Sequence, residues 1–151
     1  MRAILQRVTR ASVQVEGEVV GAIDHGLLVL LGIEKRDGPG DVPTMAAKIA
    51  GLRIFADEKG RMNLDVASVG GGILLVSQFT LAASLARGRR PSFDTAAPPD
   101  LAEPLVEAVR DQLESLGLQV ATGRFGAGMK VELVNDGPVT FVLDVRDGKA
   151  L

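Results

Sequence analysis

Val131-Glu132-Leu133-Val134-Asn135-Asp136-Gly137-Pro138-Val139-Thr140-Phe141-Val142-Leu143-Asp144-Val145 places a Gly-Pro pair between two apolar runs. Gly allows positive φ, and Pro fixes φ and removes a backbone donor. The pair therefore reads as a turn between two strands, at a place where a cis peptide is tolerated. Earlier in the chain, Ile73-Leu74-Leu75-Val76 is apolar throughout and runs into Ser77-Gln78-Phe79-Thr80-Leu81. A run of that kind reads as a buried strand, here over residues 73–80.

Working outward, residues 2–8 alternate, and Ser12-Val13-Gln14-Val15-Glu16 alternates again. Gly17-Glu18 reads as a hairpin turn before Val19–Ile23. Asp24-His25-Gly26 reads as another turn, before the apolar run Leu27–Ile33. Four antiparallel strands are predicted in the first 33 residues. A first helix is predicted with Asp41 as its cap, Pro43 in its first turn and Met45, Ile49 and Leu52 on its apolar face. A second is predicted with Asp100 as cap and Glu103 completing a capping box. Its stripe, mostly apolar, is Leu101, Leu105, Val109, Gln112, Leu113 and Leu116, and Gly117 is its stop. Short strands are expected at Leu52–Phe55, Arg61–Leu64 and Leu118–Thr122. The expected fold is α/β: a strand-rich single domain over residues 1–151, of mostly antiparallel sheets covered by two helices in α/β/β layers.

A length of 151 residues suits one domain with a real core. Hydrophobic content of 46% and charged content of 24% are ordinary for a globular chain. Without cysteine there is neither a disulfide framework nor a thiolate metal site. The N-terminal residues lack the apolar core of a signal peptide. The longest apolar stretch, Leu27–Leu31, is far short of the ~20 residues of a membrane span. A cytoplasmic protein with no membrane partner is expected. Net charge is −2, from 17 basic and 19 acidic residues. That argues against wrapping a long nucleic acid and leaves room for gripping only an RNA end.

The chemistry on offer is narrow. The only histidine, His25, sits in an Asp-His-Gly turn and reads as an exposed turn residue. No His or carboxylate spacing suggests a metal, and no cofactor is expected. Gly70-Gly71-Gly72 opens a strand with no Gly-Lys-Ser/Thr after it, so it reads as a turn and not as a phosphate loop. What remains is Ser77, Gln78, Phe79, Thr80 and backbone amides. Such groups position a polar substrate and stabilise an oxyanion, but they are poor general bases. A site built from them would cleave only a labile bond or borrow a catalytic group from its substrate. The other reading is a strand end whose Ser and Thr satisfy nearby backbone groups. The residue types alone leave both open.

Taken together, these motifs closely resemble those of the D-aminoacyl-tRNA deacylases, the D-tyrosyl-tRNA deacylase family. The likeness runs nearly end to end. It includes Met1 to Val8 with Ala11-Ser12-Val13, Gly26 to Gly32, Leu52-Arg53-Ile54-Phe55 and Met62-Asn63-Leu64. Ser77-Gln78-Phe79-Thr80-Leu81 and Asn135-Asp136-Gly137-Pro138-Val139-Thr140 match the family's two signatures. The resemblance implies a homodimer in which a cis Gly137-Pro138 reaches the partner's active site and excludes L side chains. It implies that Ser77, Gln78, Phe79 and Thr80 line the pocket for the aminoacylated 3′ end of tRNA, with Phe125 and Met129 completing the wall. It also implies use of the substrate's 2′-hydroxyl. Phe79 N–H is the candidate oxyanion donor, and poor rejection of glycine is expected because glycine has no side chain to clash. Arg87, Arg89 and Arg90 are expected to hold tRNA, as a basic cluster in an irregular loop after Thr80. Gly128 departs from the polar residue that relatives often carry. A related group that clears L-alanine from tRNA has a different strand-end motif, which the intact Ser77 to Thr80 argues against. A non-catalytic RNA-end-binding dimer and a purely structural dimer are the other classes the motifs admit.

Overall fold

Alternation at the N-terminus builds one long strand where two were expected. The computed structural model describes residues 1–151, and in it β1 runs Arg2–Val15 without interruption. The chain turns at Glu16 and Gly17, with φ of 51° and 81°, one residue before the expected Gly17-Glu18. Strand β2 (Glu18–Ile23) and strand β3 (Gly26–Gly32) follow, so the first 33 residues hold three strands, not four. Thr9-Arg10-Ala11 does not break β1, because a register shift absorbs the irregularity within the strand.

After a 3-10 turn at Pro39–Asp41 come helix α1 (Val42–Gly51) and a two-stranded hairpin, β4 (Phe55–Ala56) with β5 (Met62–Leu64). Strand β6 is Gly72–Ser77, helix α2 is Pro99–Ser115 and strand β7 is Val120–Thr122. Strands β8 (Lys130–Arg146) and β9 (Lys149–Ala150) close the chain. The main sheet has the order β7-β6-β3-β1-β8-β9, with β2 also on β1. Pairings of β1 with β2, β3 and β8 are antiparallel, as expected, but β3–β6 and β6–β7 are parallel. Parallel neighbours need a long crossover, and the segments containing α1 and α2 supply the two that are used here.

That connectivity buries both faces of the central strands. Leu27, Val29, Leu31, Ile73 and Leu75 pack with the apolar residues of α1 and α2. Leu28, Leu74 and Val76 point the other way and join Val13 and Val15. Burial on both faces explains why β3 and β6 are apolar runs without alternation. The sheet curls until β2 meets β7. A Cβ on Gly21 would lie 2.1 Å from the Thr122 carbonyl oxygen, so only glycine allows the approach.

Helix α1 starts where expected but without the expected capping bond, and helix α2 starts earlier than expected. Asp41 stands at the cap position of α1 but makes no capping bond. Its carboxylate accepts from Gly38 N at 3.0 Å and from Gly148 N at 2.9 Å, tying the turn before α1 to the C-terminal hairpin. Burial pushes its pKa up, but the two backbone donors outweigh that and hold it below the usual carboxylate range. Helix α2 is capped by Pro98 and has no side-chain capping bond. Asp100 lies within its first turn, where a carboxylate still favours the helix dipole. Beside the Asp41 tie, the Met1 ammonium is buried 2.7 Å from Asp37 Oδ1 and donates to Val145 O at 2.7 Å.

Gly137-Pro138 does not reverse the chain. Both halves of β8 pair antiparallel with β1. Between the pairs Gln6–Thr140 and Val8–Asn135, the single residue Arg7 faces Asp136, Gly137, Pro138 and Val139. The Gly-Pro pair therefore sits in an excursion from one continuous strand, and its peptide bond is cis. Turn chemistry in the sequence is the same for a reversal and for an excursion of this kind, so the partner strand decides between them.

Candidate active site

Ser77 ends β6 and pairs with Leu31 of β3. Gln78 N donates to Leu31 O at 2.8 Å, and the chain then tightens into a 3-10 turn at Phe79–Ala82. The strand expected over residues 73–80 therefore stops at Ser77. Gly32 lies beneath this turn: a Cβ there would stand 2.8 Å from Leu81 Cβ and 2.9 Å from Gln78 O. Phe79 opens the turn, so its N–H has no partner within it.

A cavity of about 540 Å³ opens beside this strand end. Ser77, Gln78 and Phe79 form one wall, Phe125 and Met129 lie on its lining, and Ala102 and Val106 of α2 contribute apolar surface. No lining residue is a histidine or carboxylate. An apolar pocket with a few convergent polar groups is the usual form of a small-molecule site. Gly128, at the bend, has open space around it, so a side chain there would meet solvent and not the wall.

Thr80 is placed differently from its three neighbours. It lines a second groove of about 480 Å³ with Arg2, Leu85, Phe93 and Val142. Its Oγ1 accepts from Gln78 Nε2, so the cavity and the groove are joined through one hydrogen bond. The Phe79 ring leans on Phe93 with centroids 5.1 Å apart. Phe79, Leu85 and Val142 are 59%, 75% and 64% exposed, an apolar surface around the groove.

Arg87, Arg89 and Arg90 are exposed in the loop whose neck is the Ser84–Ser92 bridge. None of them forms an ion pair, whereas Arg2, Arg7, Arg10, Arg36 and Arg110 do. Free guanidinium groups beside the groove suit phosphate contact. Replacing all three with alanine is expected to weaken tRNA binding and to lower the slope of log K against log salt by about two units or more. Binding measured across a salt series checks this; an unchanged slope would make the loop merely solvated.

Gly137 and Pro138 are exposed and line neither cavity nor groove. Ser77 is level with Leu31, Ala3 and Leu143 across the sheet, while the excursion lies opposite Arg7. Four residues along and three strand spacings across amount to roughly 20 Å. The excursion is thus remote from the cavity of its own chain. Arg7 holds one end of it: Nε donates to Asp136 O at 2.8 Å, while Nη1 donates to Ile54 O at 2.6 Å. Sequence reading passed over Arg7. Its signal was an arginine in phase with the apolar positions Ala3 and Leu5. His25 is exposed and stacks on Phe55, and it does not line the cavity.

Comparison with known proteins sets this geometry in context. The profile of the D-Tyr-tRNA(Tyr) deacylase family matches residues 4–144. A D-aminoacyl-tRNA deacylase of Geobacter metallireducens is 60% identical over 144 residues, covering 95% of each chain. The enzyme of the same name from Geobacter sulfurreducens is 58% identical and covers 97% of this chain and 96% of its own. Among solved structures, the c-Myc DNA Unwinding Element Binding Protein superposes with a TM-score of 0.89 at 42% identity, over 95% of this chain and 98% of that one. A eukaryotic protein described as a probable D-amino acid tRNA deacylase shares the fold, with a TM-score of 0.82 at 15% identity over 93% of this chain and 97% of that one.

Proposed function

The chain belongs to the D-Tyr-tRNA(Tyr) deacylase family, and we propose that it hydrolyses the ester bond of D-aminoacyl-tRNA to free D-amino acid and tRNA. The observation that carries this reading is the wall of Ser77, Gln78 and Phe79 on an apolar cavity that contains no acid or base. Such a cavity receives the terminal adenosine and presents hydroxyl, carboxamide and N–H groups to an ester. An aminoacyl ester is already activated and carries a neighbouring 2′-hydroxyl. Water adds to the carbonyl carbon with the help of that hydroxyl. Phe79 N–H receives the developing oxyanion, and the ribose 3′-oxygen leaves with a proton.

Chiral selection is assigned to a second copy of the chain. The separation of roughly 20 Å between excursion and cavity supports this. So does the exposed apolar surface of Leu85, Phe93 and Val142 beside Thr80. In the homodimer, Gly137 and Pro138 stand at the substrate α-carbon of the partner's site, leaving no volume for an L side chain. Selection works by rejection and not by recognition of the D side chain. Glycine, with nothing to clash, is hydrolysed too, including glycine mischarged onto tRNA-Ala. No helix is long and apolar enough to cross a membrane, and the substrate suits a cytoplasmic location. The decisive experiment is deacylation of D- and L-aminoacyl-tRNA by the purified protein, in which ready hydrolysis of the L form would overturn chiral selection.

Thr80→Ala is expected to cost about 1–3 kcal/mol in kcat/KM, the scale of a lost positioning hydrogen bond. A nucleophile would cost several powers of ten, and Thr80 has no base beside it to activate one. Complete loss with folding and tRNA binding intact would favour direct attack by Thr80.

A further inference from the structure

Four residues face the single residue Arg7 between the pairs Val8–Asn135 and Gln6–Thr140, so one partner residue cannot serve all of their backbone groups. Val139 is only 6% exposed, so water cannot serve it. One side chain serves both of its backbone groups. Asn135 Oδ1 accepts from Val139 N at 2.7 Å, and Asn135 Nδ2 donates to Val139 O at 3.3 Å and to Thr140 Oγ1 at 3.0 Å. Gln6 Nε2 donates to the same hydroxyl at 3.3 Å. With Arg7 on Asp136 O, the excursion is tied at both ends. Gly137 and Pro138, between the ties, are held by no side-chain hydrogen bond. A carboxamide offers an acceptor and two donors without charge, which is what this closure uses.

We propose that Asn135 is a positioning residue for chiral selection: its carboxamide closes the Asp136–Val139 excursion and so fixes where the Gly137 backbone is presented to the substrate of the partner subunit. The inference rests on the assignment of Gly137 and Pro138 as the stereochemical filter. A wall that rejects by contact must hold its place to within about half an ångström. Loosening the closure lets the wall yield to an L side chain, while the cavity wall at Ser77 to Phe79 is untouched.

The test compares the full-length parent protein with Asn135→Ala and Asn135→Asp on D- and L-forms of one aminoacyl-tRNA. The readout is the ratio of L to D kcat/KM, which a general loss of stability does not move. Asn135→Ala is expected to raise the ratio roughly tenfold or more. Asn135→Asp keeps the acceptor for Val139 N and loses both donors, so it should fall between Ala and the parent. Circular dichroism and sedimentation report fold and assembly. An unchanged ratio in folded variants overturns the proposal while the chiral reading stands. Loss of fold in both variants also overturns it, since Asn135 would then be a stability residue. A parent protein that does not prefer the D form removes the chiral reading itself, and the proposal with it.

Discussion

Gly32→Ala is expected to lower kcat/KM for D-aminoacyl-tRNA by roughly two powers of ten while the chain still folds. The added Cβ would lie 2.8 Å from Leu81 Cβ and 2.9 Å from Gln78 O. Neither neighbour is the flexible end of a side chain, so the turn that begins after Gln78 has to lift off β3. That turn carries the Phe79 N–H and Thr80, and Gln78 leads into it. A lift of a few tenths of an ångström or more should spoil groups that, in the proposed mechanism, work only by position. The fold survives because the Gly32 pairing with Arg2 needs no special backbone and an overpacked methyl costs about 1–3 kcal/mol. Steady-state kinetics beside a thermal melt separate the two effects. Near-parental kinetics would mean that the turn can shift without consequence, and that Gln78 and Phe79 are not part of a catalytic wall.

The second large effect concerns stability. Asp37→Ala should destabilise the fold by roughly 3–5 kcal/mol, the range found when one partner of a buried ion pair is removed. Side-chain exposure is 0% for Met1 and 1% for Asp37, and the ammonium left behind would keep only Val145 O. Asp37 Oδ2 also accepts from Glu34 N at 2.7 Å, so the loop before α1 loses an anchor as well. At this chain length the melting temperature should fall by about 10 °C. Removing Glu132 from its pair with Arg10, both 59% exposed, should by contrast cost less than about 1 kcal/mol. Denaturant titration of both variants checks the contrast. A small loss for Asp37→Ala would mean that water reaches the ammonium.

Local pattern carried much of this structure. Leu27 to Leu31 and Ile73 to Val76 read as buried strands and are buried strands, because burial on both faces leaves a continuous apolar run. Met45 and Ile49 in α1, and Leu105, Val109 and Leu113 in α2, show their helical spacing and are buried. What failed depended on partners distant in sequence. Nothing local states that β6 lies parallel to β3, or that residues 2–15 and 130–146 each form one strand. Asp41 and Asp100 look like caps, but one carboxylate is used by Gly148 and the other helix starts earlier, at Pro99. At the site, Ser77, Gln78 and Phe79 were visible as polar and aromatic residues after an apolar run. Their meeting with Phe125 and Met129, across roughly 50 residues, rested on family resemblance. The departure of Thr80 into the neighbouring groove follows from the 3-10 turn, which the strand reading did not contain.

The excursion around Gly137 and Pro138 also solves a problem of parity. On β1, Ala3 and Leu5 serve the helix-side core, yet Ala11, Val13 and Val15, odd-numbered like them, serve the opposite core. On β8, Val139 and Val145 belong to the first core, and Val131 and Leu133 pack on the second. In an unbroken strand, odd positions share a face. Each strand therefore turns over once, β1 through the unmatched Thr9 and β8 through three surplus residues opposite Arg7. One and three are both odd, so the two strands flip together and stay in phase. A loop with two or four surplus residues would leave β8 facing the wrong way along half its length. The length of the signature segment is thus constrained by the odd count that lets a single ribbon of chain close two cores, apart from the selective role proposed for its tip.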